Sequence, residues 1–169
     1  MKKYVKGILC VMLFAVLSGC GDSKKDLLNN PADKEVKTTI EKLDGVKSTC
    51  IVTENNDPNG KLNKDGGYTG AVYFRLKQVD DQLEKKGHAT PYGDDACEVG
   101  TIGGGQIEIY ANEKDANKRN EYLSNFDGSV VGDFHSMKGT LVIRLSDELT
   151  TTQQKKLEEQ IIKLLSEKR

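Results

Sequence analysis

The stretch NNDPNGKLNKDGG, residues 55–67, decides between two folds. Read as a calcium loop, Asn55, Asp57 and Asn59 take positions one, three and five, with Gly60 sixth and Leu62 eighth. Such a loop needs a helix on each side and a bidentate glutamate at position twelve. Position twelve here is Gly66, position one is a neutral Asn, and Pro58 stiffens the middle. The flanks are also wrong for helices. Residues 46–54 (VKSTCIVTE) and 68–76 (YTGAVYFRL) are rich in β-branched and aromatic side chains, the pattern of strands. The stretch is therefore expected to be a polar connector in an antiparallel pair, since Asn, Asp, Gly and Pro supply the backbone angles a wide turn requires.

Working outward, residues 33–43 place Val36, Ile40 and Leu43 on one face of a short helix, with Asp33 as N-cap and Gly45 just past its end. In the strand that follows, Val46, Cys50 and Val52 are expected on one side. Residues 77–100 read mainly as loop, with one helical turn at 79–84. Order returns at QIEIY (106–110), and Asn112 then caps a helix running to about Phe126 with Ala116, Arg119, Tyr122, Leu123 and Phe126 along one side. Val130, Val131 and Phe134 suggest a short edge strand, and GTLVIRL (139–145) a central one. A last helix opens near Thr151 and carries the stripe Leu157, Ile161, Leu164, Leu165. This order predicts an α+β fold, an antiparallel sheet of four to five strands with helices packed on one face.

The N-terminus has a different character. Lys2, Lys3 and Lys6 precede an 11-residue apolar run (GILCVMLFAVL, 7–17), the make-up of a secretory signal. The run is too short for a membrane span, which needs about 20 residues. Leu17-Ser18-Gly19-Cys20 matches the bacterial lipobox at all four positions, so the segment resembles a lipoprotein signal peptide. That resemblance implies cleavage between Gly19 and Cys20, acylation of the Cys20 thiol, and a lipid anchor on the extracytoplasmic side of the cell membrane. The expected organisation is a signal peptide over 1–19, a lipidated N-terminus and flexible tether over 20–32, and one α+β domain over 33–169. About 12 extended tether residues would reach roughly 40 Å. Loss of the signal removes three of the 25 basic residues, leaving 22 against 26 acidic ones. A mildly acidic chain gives no electrostatic reason to expect nucleic acid as a partner.

The strings GGYTGAVYF (66–74), GGGQIEIYANEKDANKRNEYLSNFDG (103–128) and GTLVIRLSDELT (139–150) give the mature chain a likeness to small uncharacterised extracytoplasmic lipoproteins of Gram-positive bacteria. The likeness implies the address and the fold class, and carries no catalytic residue.

Of four cysteines, Cys10 lies in the signal and Cys20 at its end. Cys50 and Cys97 remain. An even pair in an oxidising compartment points to a disulfide, the plainer alternative being two unpaired thiols. Gly103, Gly104 and Gly105 precede a strand, whereas a phosphate loop follows one, so they read as a bulged strand entry. His88 and His135 stand far apart with no metal-ligand spacing, and Asp94, Asp95 and Glu98 read as solvated loop charges rather than a cation site. No nucleophile elbow and no spaced carboxylate pair is present, so no catalytic residue, metal or cofactor is expected. The expected role is a membrane-anchored binding or accessory module of the cell envelope with an envelope protein as possible partner. Its binding face would be the bare face of the sheet, edged by the Tyr68 strand and residues 77–100. An immunity or exclusion lipoprotein, and more remotely an envelope hydrolase, are the alternatives.

Overall fold

The computed structural model describes residues 27–88, 93–128 and 134–167. The signal peptide, Gly19, Cys20, Val130 and Val131 lie outside them. Five strands, β1 (Val46–Ile51), β2 (Gly70–Leu76), β3 (Gly104–Ile109), β4 (Phe134–Lys138) and β5 (Leu141–Leu145), form one antiparallel sheet in the order β1-β2-β3-β5-β4. Among the described residues five α-helices accompany it: α1 (Asp33–Ile40), α2 (Lys77–Lys85), α3 (Ala96–Val99), α4 (Glu113–Ser124) and α5 (Thr151–Ser166). The α+β class and the antiparallel sheet are as expected, and residues 55–67 do join β1 to β2.

The pleat divides the interior in two. Val72, Phe74, Ile107, Ile109, Leu141, Ile143 and Leu145 project to one face and pack against Val36 and Ile40 of α1, Val79 and Leu83 of α2, and Ile161 and Leu165 of α5. Alternate residues project to the other face, where Ala71, Tyr73 and Val142 meet Cys97 of α3 and Ala116 and Leu123 of α4. Helices thus cover both faces, not one. The cause is topological. The chain leaves β3, skips the position β5 will fill, and enters at the edge as β4, so α4 must cross the sheet, and it does so on the second face.

Other local readings also change. Val46 packs with the first cluster while Cys50 and Val52 belong to the second, because a bulge between Val46 and Ser48 shifts the register and reverses the alternation. Within residues 77–100, α2 starts directly from the end of β2 and α3 follows at Ala96–Val99; the Val79 and Leu83 pair, one helical turn apart, supplies the apolar burial of α2. The cap of α1 is Ala32, whose backbone N–H donates to the Glu35 carboxylate, and Asp33 is the first helical residue. Thr150 caps α5 through a reciprocal bond with Gln153.

The last residues assigned to the tether belong to the domain. Leu27 is buried in the first core and its N–H donates to the Leu165 carbonyl. The Leu28 carbonyl accepts from Thr140 N–H at 2.8 Å, and Asn30 N–H donates to the Thr140 hydroxyl at 2.6 Å. The sequence hides this because two leucines in a polar run show no period. Gly104 and Gly105 are strand residues: a Cβ at Gly104 would stand 2.6 Å from the Phe74 carbonyl oxygen, and one at Gly105 would stand 2.5 Å from the Phe74 ring. Their bareness lets β3 lie close to β2 and its large ring.

Candidate functional site: a tyrosine-floored cleft

The connector over residues 55–67 is a built object. Asp57 is its hub. Its carboxylate accepts from the N–H of Asn59 at 3.0 Å, from that of Leu62 at 2.8 Å, and from the Tyr68 hydroxyl. Burial alone would push this carboxyl up, but those hydrogen bonds outweigh it and hold Asp57 below the usual carboxylate range. Leu62 buries its side chain in the second core, and Asn63, at φ +56, donates its N–H to the Tyr68 carbonyl at 2.8 Å. Gly67 completes the closure: a Cβ there would stand 1.9 Å from the Lys61 carbonyl oxygen. With both Asp57 oxygens turned inward, the residue that resembled a calcium ligand acts as a structural acceptor.

Facing this loop is α4. Asn112 caps it, its side chain accepting from Asp115 N–H at 3.0 Å. Ala116 and Leu123 then seat it on the sheet. On the flank, Arg119 reaches Glu108 of β3, which has 0% exposure, with two bonds of 2.9 Å, a bidentate pair. The Tyr110 hydroxyl donates to the same carboxylate at 2.8 Å, and Arg144 stands 3.6 Å from it. Burial works against the Arg119 charge, yet the hydrogen bond and charge of Glu108 more than compensate and raise its pKa. Burial, with Glu108 alongside, pushes the Tyr110 phenol well above its ordinary value. Burial together with Asp57 does the same to Tyr68. Both phenols are therefore neutral at physiological pH, and each commits its hydrogen to a carboxylate.

Between loop and helix lies a cleft of about 430 Å³. Tyr68 and Tyr110 form its floor, Asn59, Lys61, Asp65, Gly66 and Gly67 one wall, and Lys118, Arg119 and Tyr122 the other. Tyr122 is 53% exposed and lies under the Arg119 guanidinium at 5.5 Å. Lys61, Lys118 and Arg119 line it together with Asp65, Arg119 being paired with Glu108 and Lys118 with Asp115. Such an arrangement has aromatic surface, fixed acceptors and positive charge, the ingredients of recognition.

The other sequence candidates serve the scaffold. Cys50 and Cys97 form a disulfide with Cα atoms 5.5 Å apart, joining β1 to α3. Asp95 caps α3 by accepting from Cys97 N–H, and Asp94 lies 3.8 Å from Arg75. Arg75 is itself buried against Asp80 of α2, with side chains only 5% and 6% exposed. Asp80 also accepts from Lys47. His135 on β4 contacts Asn120 and Asp127 at 2.9 and 3.0 Å, tying the end of α4 to the sheet edge, and His88 is exposed. Of the expected binding face, Tyr68 is in the cleft, whereas no described residue of the 77–100 segment lines it. Sequence reasoning missed Arg119 with Glu108 and the pairing of the 55–67 loop with α4. A charged residue inside QIEIY, a strand that proves to be central, was the visible signal: a buried glutamate demands a cation.

Compared with protein-family models, with curated proteins and with solved structures, the chain matches none.

Proposed function

We propose that the protein is a lipid-anchored extracytoplasmic binding module of the cell envelope, and that the cleft between residues 55–67 and α4 is where it binds. The cleft is the observation that carries this reading. Its walls are held by two carboxylate hubs, the half-buried Asp57 and the buried Glu108, so its shape is set before any ligand arrives. A pre-organised site loses less entropy on binding than a loose one. The address rests on the lipobox residues Leu17-Ser18-Gly19-Cys20 and the charged, apolar segment before them.

Photo-crosslinking in intact cells tests the site. A photoreactive amino acid in place of Tyr122 should give a discrete adduct in the membrane fraction. The same group in place of the exposed Lys155 on α5, behind the opposite face of the sheet, should not. Equal labelling from both positions, or none from Tyr122, would overturn the assignment of the cleft.

A further inference from the structure

Resting on the reading of the cleft as a binding site, we infer that its ligand is a hydroxyl-rich molecule bearing an acidic group, a sugar acid or sugar phosphate. Three observations converge on this class.

The first is hydrogen-bond polarity. The hydrogens of Tyr68 and Tyr110 are already donated to Asp57 and Glu108, and the Asn59 side chain also bonds the Tyr68 hydroxyl, so what these two buried phenols have left to offer is acceptor capacity, chiefly at Tyr110. Their complement is a donor, and alcohols are donors that need no charge. A simple carboxylate ion would meet these oxygens as a repelled acceptor, and a phosphate could approach them only through its remaining P–OH.

The second is charge. Lys61 and Lys118 project from opposite walls, and Lys118 pairs at the surface with Asp115 at 3.0 Å. Surface ion pairs contribute little and exchange readily, so this ammonium can turn to an incoming anion. Arg119 is different: it is committed to Glu108 and supplies rigidity and field rather than a free fork.

The third is surface. Tyr122 offers an exposed ring at the mouth, braced by Arg119 and by Phe126 with ring centres 5.2 Å apart. The C–H face of a pyranose packs on such a ring without needing a polar partner. A cleft of about 430 Å³ accommodates one or two sugar units and is within the ordinary size of small-molecule sites.

The chain has no tryptophan, so emission from its six tyrosines, three of them in the cleft, reports occupancy directly. Full-length protein in neutral detergent micelles is titrated with tetragalacturonate, glucose 6-phosphate, neutral cellotetraose and inorganic phosphate. Micelles doped with phosphatidylinositol form a further arm. Saturable changes are expected with at least one acidic, hydroxyl-bearing probe. The soluble and micellar arms distinguish a free sugar acid from a lipid headgroup. Lys61→Gln combined with Lys118→Gln should weaken that binding by about tenfold or more, the worth of a charged hydrogen bond, and Tyr122→Ala should do likewise. Circular dichroism of each variant, whose substitutions are all at exposed positions, should be unchanged.

Cellotetraose binding as tightly as tetragalacturonate would overturn the acidic group, and inorganic phosphate binding as tightly as glucose 6-phosphate would overturn the hydroxyl frame. No response from any probe would overturn the ligand class. A specific crosslink from position 122 in cells, obtained together with that silence, would leave the cleft as a binding site for something else. Binding that survives both sets of substitutions would remove the ligand from the cleft.

Discussion

Two carboxylates, the half-buried Asp57 and the buried Glu108, do more than any other residues to shape the cleft. Asp57 gathers a loop that would otherwise be thirteen mostly polar residues with little to bury. Asp57→Asn keeps the shape and removes the charge and one acceptor oxygen, so bonds from Tyr68 and from the Leu62 and Asn59 amides can no longer all be made. We expect a loss of about 1–2 kcal/mol of stability, and faster amide hydrogen exchange confined to residues 58–67. An unchanged exchange profile would show that Asp57 is not the hub. The tyrosines give a pH signature. Tyr68, Tyr73 and Tyr110 all have phenol pKa values raised by burial, that of Tyr73 to about 12. A raised phenol pKa means that the fold favours the neutral form. This contribution is complete below the ordinary value of about 10 and is lost as pH climbs through the folded value. Tyrosinate absorbance should therefore lag behind that of a denatured control above about pH 10, and the lagging fraction should appear together with unfolding.

Elements explain which parts of this fold are legible in a sequence. β2, β3 and β5 are read directly, because a β-branched alternation has few other solutions. α5 is read from its stripe, and β1 from its composition. Val46 is misplaced because a bulge leaves no mark in a single sequence, and α2 is underestimated because its apolar burial rests on only two side chains, Val79 and Leu83, with a charged Asp80 buried beside them. The cleft is the hardest feature. Its floor comes from the start of β2 and the end of β3, its walls from a loop and a helix about fifty residues apart, and nothing local announces their meeting. The disulfide belongs to this scale as well. It ties edge strand β1 to α3 across 47 residues, and the buried Arg75–Asp80 pair holds the intervening α2 to β2. Replacing Cys50 and Cys97 together by serine should cost about 4 kcal/mol by the loop-closure argument. A denaturant midpoint unaffected by the double substitution, and equally unaffected by reductant, would show that the link adds nothing to the sheet.

For the whole molecule, the position of the N-terminal residues matters most. Since Leu27 is already part of the core, only residues 20–26 separate the expected acyl cysteine from the domain. Seven residues fully extended reach about 25 Å rather than the roughly 40 Å of a longer tether. The chain enters over Thr140, at the end of the sheet where Gly70 pairs with Ile109 and Ile109 with Leu141. Tyr68 and Tyr110, the floor of the cleft, stand at that same end, and the Thr69 hydroxyl lies 3.4 Å from the Asn30 side chain. On the proposed anchor, a short tether therefore holds the cleft near the bilayer rather than far out in the envelope. Everything in this placement depends on Cys20. Cell fractionation of Cys20→Ala, with metabolic labelling by a radioactive fatty acid, is the measurement that bears on it most directly. Label is expected in the wild-type protein and none in the variant, with the variant leaving the membrane fraction or persisting as uncleaved precursor. A variant that is processed and retained at the membrane like the wild type would contradict the proposed anchor.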